Sequence, residues 1–405
     1  MTATSADIGI AGAGPARVRL PAESIALVPA LARTSAPNVW VWEYDGPDGW
    51  LLSIATHGAP GSGALSLGGF RIAPADRAGA PGYDNAREAI GLAMGMEEKI
   101  RWSRRIRCGG PRGLAHLDRL VGGKCVLRPS EGARVGEPRD AELLGWAAAA
   151  LNAFEGESGV HLATGQDLGH GQMSDGRTPS LAFLHQRFRG SVKADTSKPT
   201  AEGNWRLLRG MLDGLGVAMR GARVGLVGLG NIGEHMLMRL RDEGTECIAI
   251  EASADKREAA EASGVRVWAP GALPEFLAQP MDAVAVNARG GTLSLASCRA
   301  LAANDRLRVI CGSENLTMPD PTGAEVLRAA GKLFAPTELG GMMGYLTAVE
   351  EYLCALDGVA FEIASVFRAA ERLESAGRDA AARVKAGAYR ERFDEAVEAL
   401  AGAPE

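Results

Sequence analysis

The six cysteines of this 405-residue chain, at positions 108, 125, 247, 298, 311 and 354, form no CxxC pair and stand at no metal-ligand spacing with the six histidines. That pattern argues against a structural zinc site, a disulfide framework or a dithiol redox centre, and no metal is expected. Scattered cysteines of this kind read as small buried hydrophobes in a reducing compartment, so a cytoplasmic location is expected. A strong charge of either sign is also missing. Lys and Arg total 44 against 49 Asp and Glu, a net charge of -5. Neither a nucleic acid nor a membrane surface is expected as a partner. No apolar run is long enough to span a bilayer, and no basic start followed by an apolar stretch marks a signal peptide.

What is present is an ordinary globular composition, 46% hydrophobic and 23% charged. The length exceeds what one hydrophobic core serves, so an α/β protein of two domains is expected. Near the start, Gly12-x-Gly14 followed by Pro15-Ala16 imitates a dinucleotide-binding turn. Such a turn needs a helix opening at once, with free amides facing a pyrophosphate. Arg17 stands where the third glycine belongs and Pro21 interrupts the required helix, so the stretch reads as a flexible leader.

Residues 221–251 carry a complete fingerprint. Arg223–Val227 reads as an apolar strand, and Gly228-Leu229-Gly230-Asn231-Ile232-Gly233 follows directly. Glu234–Glu243 then reads as a helix, and Cys247–Ile250 as a second strand ending on Glu251. In this motif one glycine makes the tight turn, the next admits the pyrophosphate and the third lets helix pack on strand. Glu251 lies 23 residues after Gly228, where an acid holds the ribose 2′-hydroxyl. An acid there repels a 2′-phosphate, so NAD is the expected cofactor, although Lys256 and Arg257 stand nearby. Further strands are expected at Val265–Trp268, Ala283–Val286 and Val309–Cys311. The loops after the last two, Asn287-Ala288 and Gly312–Asn315, are expected to face the cofactor, because ligands lie at the carboxyl ends of parallel strands.

Six landmarks follow one another along the chain: Leu67-Gly68-Gly69-Phe70-Arg71, Ala93–Lys99, Thr164–Gly169, Thr200–Gly203, Cys311–Asn315 and Ala335–Gly341. Their order resembles that of the glutamate/leucine/phenylalanine/valine dehydrogenase family, most nearly its leucine and phenylalanine branch. The resemblance runs from about Trp40 to Leu356. It implies a substrate domain with a mixed sheet (1–200), a Rossmann domain (201–345) and C-terminal helices (346–405) packing back on the first domain. It also implies NAD-dependent oxidative deamination of an L-amino acid, reversible as reductive amination, by a homo-oligomer.

By the same resemblance, Lys99 holds the substrate carboxylate beside Gly69, Asn315 contacts substrate, and Asp167 relays protons at nitrogen. Gly228, Gly230, Asn231, Ile232, Gly233, Glu251, Thr200, Asn287 and Ala288 would hold the cofactor. The positions matching the family's side-chain pocket are Leu67, Gly165, Met342 and Tyr345. None is charged, so an apolar or aromatic amino acid is expected as substrate.

Two cations compete for the catalytic base. Arg112 lies 13 residues after Lys99, near the family spacing, whereas Lys124 lies 25 after it. Local context favours Lys124, which the apolar run Cys125-Val126-Leu127 follows; Arg112 precedes what reads as a turn or short helix, within an arginine-rich insertion, Trp102–Arg119. Chemistry also favours Lys124, since a lysine can deprotonate and an arginine effectively cannot. Bland roles stand beside these assignments: a solvated helix-end Lys99, a turn Asp167, a capping Asn315, a surface or supporting His170, and a solvated face of Arg104, Arg105 and Arg107. Two departures from the family, the shortened Gly122-Gly123-Lys124 and the missing asparagine before Gly340-Gly341, leave room for a repurposed enzyme that reduces imines or couples an oxo acid to an amine. An NAD-binding protein without catalysis is the outcome if Arg112 occupies the base position.

Overall fold

The computed structural model describes residues 14–400. The chain divides into two compact units, one running to Glu97 and resuming over Asp118–Ala194, the other comprising Glu98–Leu117 and the chain from Asp195 onward.

The first unit is built on a six-stranded mixed sheet: β1 (Arg17–Arg19), β2 (Trp40–Asp45), β3 (Leu51–Thr56), β4 (Leu65–Ile72), β5 (Leu120–Arg128) and β6 (His161–Gln166), in the order β1-β2-β3-β5-β4-β6. The pairs β1–β2, β2–β3 and β3–β5 are antiparallel, while β4 runs parallel to both β5 and β6. Alternation along each strand divides the side chains between two faces. Phe70 and Ile72 of β4, with Cys125 and Leu127 of β5, enter a core closed by α2 (Asp140–Ser158) through Leu143, Ala147, Leu151 and Phe154. That helix carries Asp140 and Glu142 in its first turn and ends at Gly159 in the left-handed conformation, as the helix dipole and a C-terminal glycine cap favour. The opposite face, with Val41, Ala55 and Val126, packs on Ala86, Ala89, Ile90 and Ala93 of α1 (Asn85–Ile106).

From Arg17 on, the chain differs from the leader expected there. Gly12 lies outside the described residues, but Arg17–Arg19 pairs with β2, and both arginines donate to the buried Glu43 carboxylate. No helix opens after Gly14, as the dinucleotide motif would require; the first one starts at Pro21, where a missing N–H costs nothing, and runs to Leu27.

The second unit holds an all-parallel sheet of β7 (Arg223–Val227), β8 (Glu246–Ile250), β9 (Arg266–Trp268), β10 (Ala283–Val286), β11 (Val309–Gly312) and β12 (Leu333–Phe334). Its order, β12-β11-β10-β7-β8-β9, is that of a doubly wound nucleotide-binding sheet, with the reversal between β7 and β10. Each of β10 and β11 is wholly buried, which suits a sheet covered on both faces.

α6 (Ile363–Ala386) lies along α3 (Ser197–Leu215) within the second unit, where Gly210 and Gly214 of α3 meet the α6 backbone at Glu374 and Arg378. α5 (Met342–Leu356) packs on the five-residue helix Pro111–Ala115, also in this unit. α6 ends at Ala386, Ala388 and Tyr389 follow at positive φ, and helix resumes over Phe393–Leu400. Among the described residues no helix is long and apolar enough to cross a membrane.

Candidate functional site

In the first unit β4, β5 and the end of β6 bring together residues from three distant stretches of sequence. Registers Leu67↔Gly122, Phe70↔Cys125 and Gly69↔Gly165 put Gly69, Lys124 and Gly165 on the face that α1 covers. Asp167, two residues beyond Gly165, points the same way, and Lys124 Nζ donates to Asp167 Oδ2. Both side chains are buried, at 4% and 8% exposure.

Glycines of β4 and β5 make the pair possible. A Cβ on Gly69 would stand 2.9 Å from Lys124 Nζ and 3.0 Å from Asp167 Cβ. One on Gly68 would land on the Gly123 carbonyl, and one on Gly122 would enter the backbone of α1 at Ala93 and Glu97. The Glu97 carboxylate also accepts the Gly122 N–H at 2.6 Å. Gly122 is therefore a point of close approach between strand and helix, whereas a Cβ on Gly123 would meet Ser66 and Ala55 of the neighbouring strands.

Arg71 completes the cluster. Its Nε and Nη2 donate to Asp167 Oδ1 at 3.3 and 3.2 Å, and its Nη1 donates to Glu88 of α1 at 2.7 Å. Burial alone would raise the Asp167 pKa, but Lys124 and Arg71 override it and hold the carboxyl far below its usual range. Lys124 is pushed below the ordinary lysine value, first by burial and then by Arg71, against the pull of Asp167. His170 is a structural neighbour: its Nε2 lies 2.7 Å from the Phe70 carbonyl and its Nδ1 2.9 Å from Ser180 Oγ.

In the second unit the glycine turn after β7 matches its chemistry residue by residue. Gly228 has φ +89°, which excludes most side chains, and a Cβ there would stand 2.9 Å from the Asn287 carbonyl. Nothing lies within 4 Å of a Cβ on Gly230, so the backbone just before the helix faces open space. A Cβ on Gly233 would land on the Gly228 carbonyl, which makes this glycine the helix–strand contact. α4 starts at Asn231 directly after the turn and runs to Asp242, three residues earlier than expected, so its free N–H groups border that space. Glu251 closes the turn: its carboxylate accepts from Leu229 N at 2.5 Å and Ser253 N at 2.7 Å. Lys256 and Arg257 are both engaged with backbone carbonyls, of Leu229 and of Glu251 and Ala252. These residues fit a dinucleotide.

The loops after β10 and β11 are tied together. Asn287 Oδ1 accepts from Ser313 N and Oγ, while the Glu314 carboxylate accepts from the N–H groups of Ala288 and Thr292. Lys99 Nζ, from within α1, donates to Asn315 Oδ1 at 3.1 Å. Lys99 is 7% exposed, so it is no solvated helix-end lysine, and Asn315 is the end of a lysine contact.

Residues 181–289 match the model of the NAD-binding domain of D-isomer-specific 2-hydroxyacid dehydrogenases. No curated protein matches the chain. Solved structures do. L-Tryptophan dehydrogenase from Nostoc punctiforme aligns at 19% identity and a TM-score of 0.59, covering 88% of this chain and 92% of its own. The leucine-bound, hetero-hexameric glutamate dehydrogenase of Thermus thermophilus aligns at 18% and 0.63, covering 90% and 86%. Glutamate dehydrogenase from Peptoniphilus asaccharolyticus aligns at 14% and 0.58, covering 94% and 93%. The chain has the amino-acid dehydrogenase fold.

Within this dehydrogenase fold the two rival cations separate cleanly. Lys124 is the partner of Asp167. Arg112 instead donates to Asp357 at 2.8 Å from a partly exposed position, and the Arg112 and Gly113 N–H groups are capped by the buried Glu350 carboxylate. Within the arginine-rich stretch Trp102–Arg119, Trp102–Ile106 continue α1 with Trp102 buried. Arg105 and Arg107 are exposed, whereas Arg104 donates to the Leu117 carbonyl.

Leu67, Met342 and Tyr345 of the dehydrogenase fold are buried, as is Gly165. Thr200 is also buried, its hydroxyl donating to the Thr196 carbonyl one turn back in α3. Arg71, Glu88, Glu314 and Glu350 were not singled out in the sequence. Arg71 had a signal, the alternation that puts it on the face of Gly69; the glutamates had none, because each finds its partner through tertiary packing.

Proposed function

We propose that this protein is an NAD-dependent dehydrogenase of apolar or aromatic L-amino acids, running oxidative deamination and its reverse as a cytoplasmic homo-oligomer. Residues 201–345 would hold NAD, with Gly228, Gly230, Asn231, Ile232 and Gly233 at the pyrophosphate and Glu251 at the ribose; Thr200, Asn287 and Ala288 complete the set. Bound there, the nicotinamide supplies the hydride acceptor at the substrate Cα.

The chain's own groups supply the rest. Lys99, steered by Asn315, holds the substrate carboxylate, and a charge-assisted contact of this kind orients Cα. Neutral Lys124 takes a proton from the water that attacks the imine carbon. Asp167 relays protons at the nitrogen. The observation that carries the reading is the buried Lys124–Asp167 pair, in which a lysine with lowered proton affinity stands against a carboxylate that stays ionised. The uncharged Leu67, Gly165, Met342 and Tyr345 support an apolar side chain over glutamate.

Incubating the protein with NAD and a panel of amino acids, and following NADH absorbance, tests the proposal. Turnover of apolar or aromatic amino acids with release of ammonia is expected, and no turnover of any of them, in either direction, overturns it. Turnover of 2-hydroxy acids instead would favour the chemistry named by the nucleotide-domain match.

The glycine turn offers a second check. Gly230→Ala should leave thermal unfolding unchanged, since its Cβ meets nothing, and weaken NAD binding measured by calorimetry at least tenfold. Gly233→Ala should lower stability by about 1–3 kcal/mol through overpacking on Gly228.

A further inference from the structure

The two oxygens of Asp167 have different company. Oδ2 receives Lys124, while Oδ1 receives Arg71 Nε and Nη2 and the Leu168 N–H at 2.6 Å. Arg71 is 3% exposed in its side chain and is shared with Glu88, itself 8% exposed. A buried arginine pair of this kind is costly to desolvate and adds little net stability, so stability alone is a weak reason for it.

We propose that Arg71 is a positioning residue for the Lys124–Asp167 pair, saturating Oδ1 so that Oδ2 faces the lysine and keeping a permanent positive charge beside both. This rests on the reading of Lys124 as base and Asp167 as relay. Arginine suits the task because its planar fork meets two carboxylates at fixed angles and does not lose its proton. Glu88 holds the fork from the α1 side, so the guanidinium cannot swing toward Lys124. The titratable groups around Lys124 are then Asp167, Arg71 and Cys125, with His170 beside Asp167 and Glu88 behind Arg71. Removing Arg71 leaves two carboxylates and no cation but Lys124 in this group, which raises the lysine's proton affinity.

Arg71→Gln and Arg71→Lys test this by pH profiles of kcat/KM, with thermal melts and NAD titrations alongside. In Arg71→Gln, kcat is expected to fall roughly 100-fold, as a small misplacement of a catalytic group costs. The acid-side limb of its profile moves to higher pH, while NAD affinity holds. Arg71→Lys keeps the limb near the wild-type position but not the rate. A folded Arg71→Gln whose limb stays in place overturns the proposal, whatever happens to its rate.

The titration of Lys124 is also read without turnover, by reductive 13C-methylation of the lysines and NMR, with Lys124→Arg assigning the signal. The midpoint should rise in Arg71→Gln and fall in Glu88→Gln, the second variant serving if the first does not fold. Unmoved midpoints overturn the role of Arg71. A wild type that shows these shifts but turns over no amino acid overturns the proposed function and leaves the role of Arg71 standing.

Discussion

Lys124→Ala is expected to lower kcat for amino-acid oxidation by roughly 10²–10⁴, the usual contribution of a general base. At ~1.4 kcal/mol per factor of ten, that is about 3–6 kcal/mol of barrier. NAD affinity should hold, since no atom of Lys124 belongs to the nucleotide-binding unit. The pH profile makes the expectation sharper. Lys124 acts as a base only when neutral, so kcat/KM rises with pH through its pKa. Burial and Arg71 place that limb below the ordinary lysine range. The limb should disappear in Lys124→Ala, and Arg112→Ala should leave it in place. A full-rate Lys124→Ala enzyme would remove the lysine from the chemistry altogether.

Asp167→Asn is the second large effect, and it acts on stability as well as rate. The substitution leaves two buried cations, Lys124 and Arg71, facing a neutral amide, and breaking a buried pair from one side costs about 3–5 kcal/mol. The rate should fall by a further 10²–10⁴ through the lost proton relay. Acid titration follows from the depressed carboxyl. Its folded pKa lies below its unfolded value of about 3.9, so the ionised group contributes stability that is complete above that pH and is lost as pH falls through the folded value. Chemical denaturation at pH 7 and at pH 3 should therefore show a difference between wild type and Asp167→Asn that shrinks in acid. A difference that stays constant would mean that Asp167 does not titrate as this geometry requires.

The nucleotide-binding half was legible because its information is local. A strand, three glycines at fixed spacing, a helix and an acid follow one another within 31 residues, and each glycine has its own steric reason, at +89° in φ, before open space or against a carbonyl. The pocket positions Leu67, Gly165, Met342 and Tyr345 came from the family resemblance, while alternation along β4 puts Gly69 and Arg71 on one face of that strand. The strand after Gly122-Gly123 was enough to prefer Lys124 over Arg112, because Cys125-Val126-Leu127 fits a buried strand and Gly113–Asp118 does not.

Partnership was a different matter. Asp167 lies 43 residues from Lys124 and 96 from Arg71, and nothing in the intervening sequence states that β5 sits between β3 and β4. Strand order in a mixed sheet is a non-local property, fixed by which faces bury best together. The same holds for Glu88, which reaches Arg71 from the helix over the sheet, and for Glu350, which caps the Arg112 helix from 237 residues away. Residue type and periodicity were enough to nominate the lysine; only the folded sheet could give it a carboxylate, and give that carboxylate its arginine.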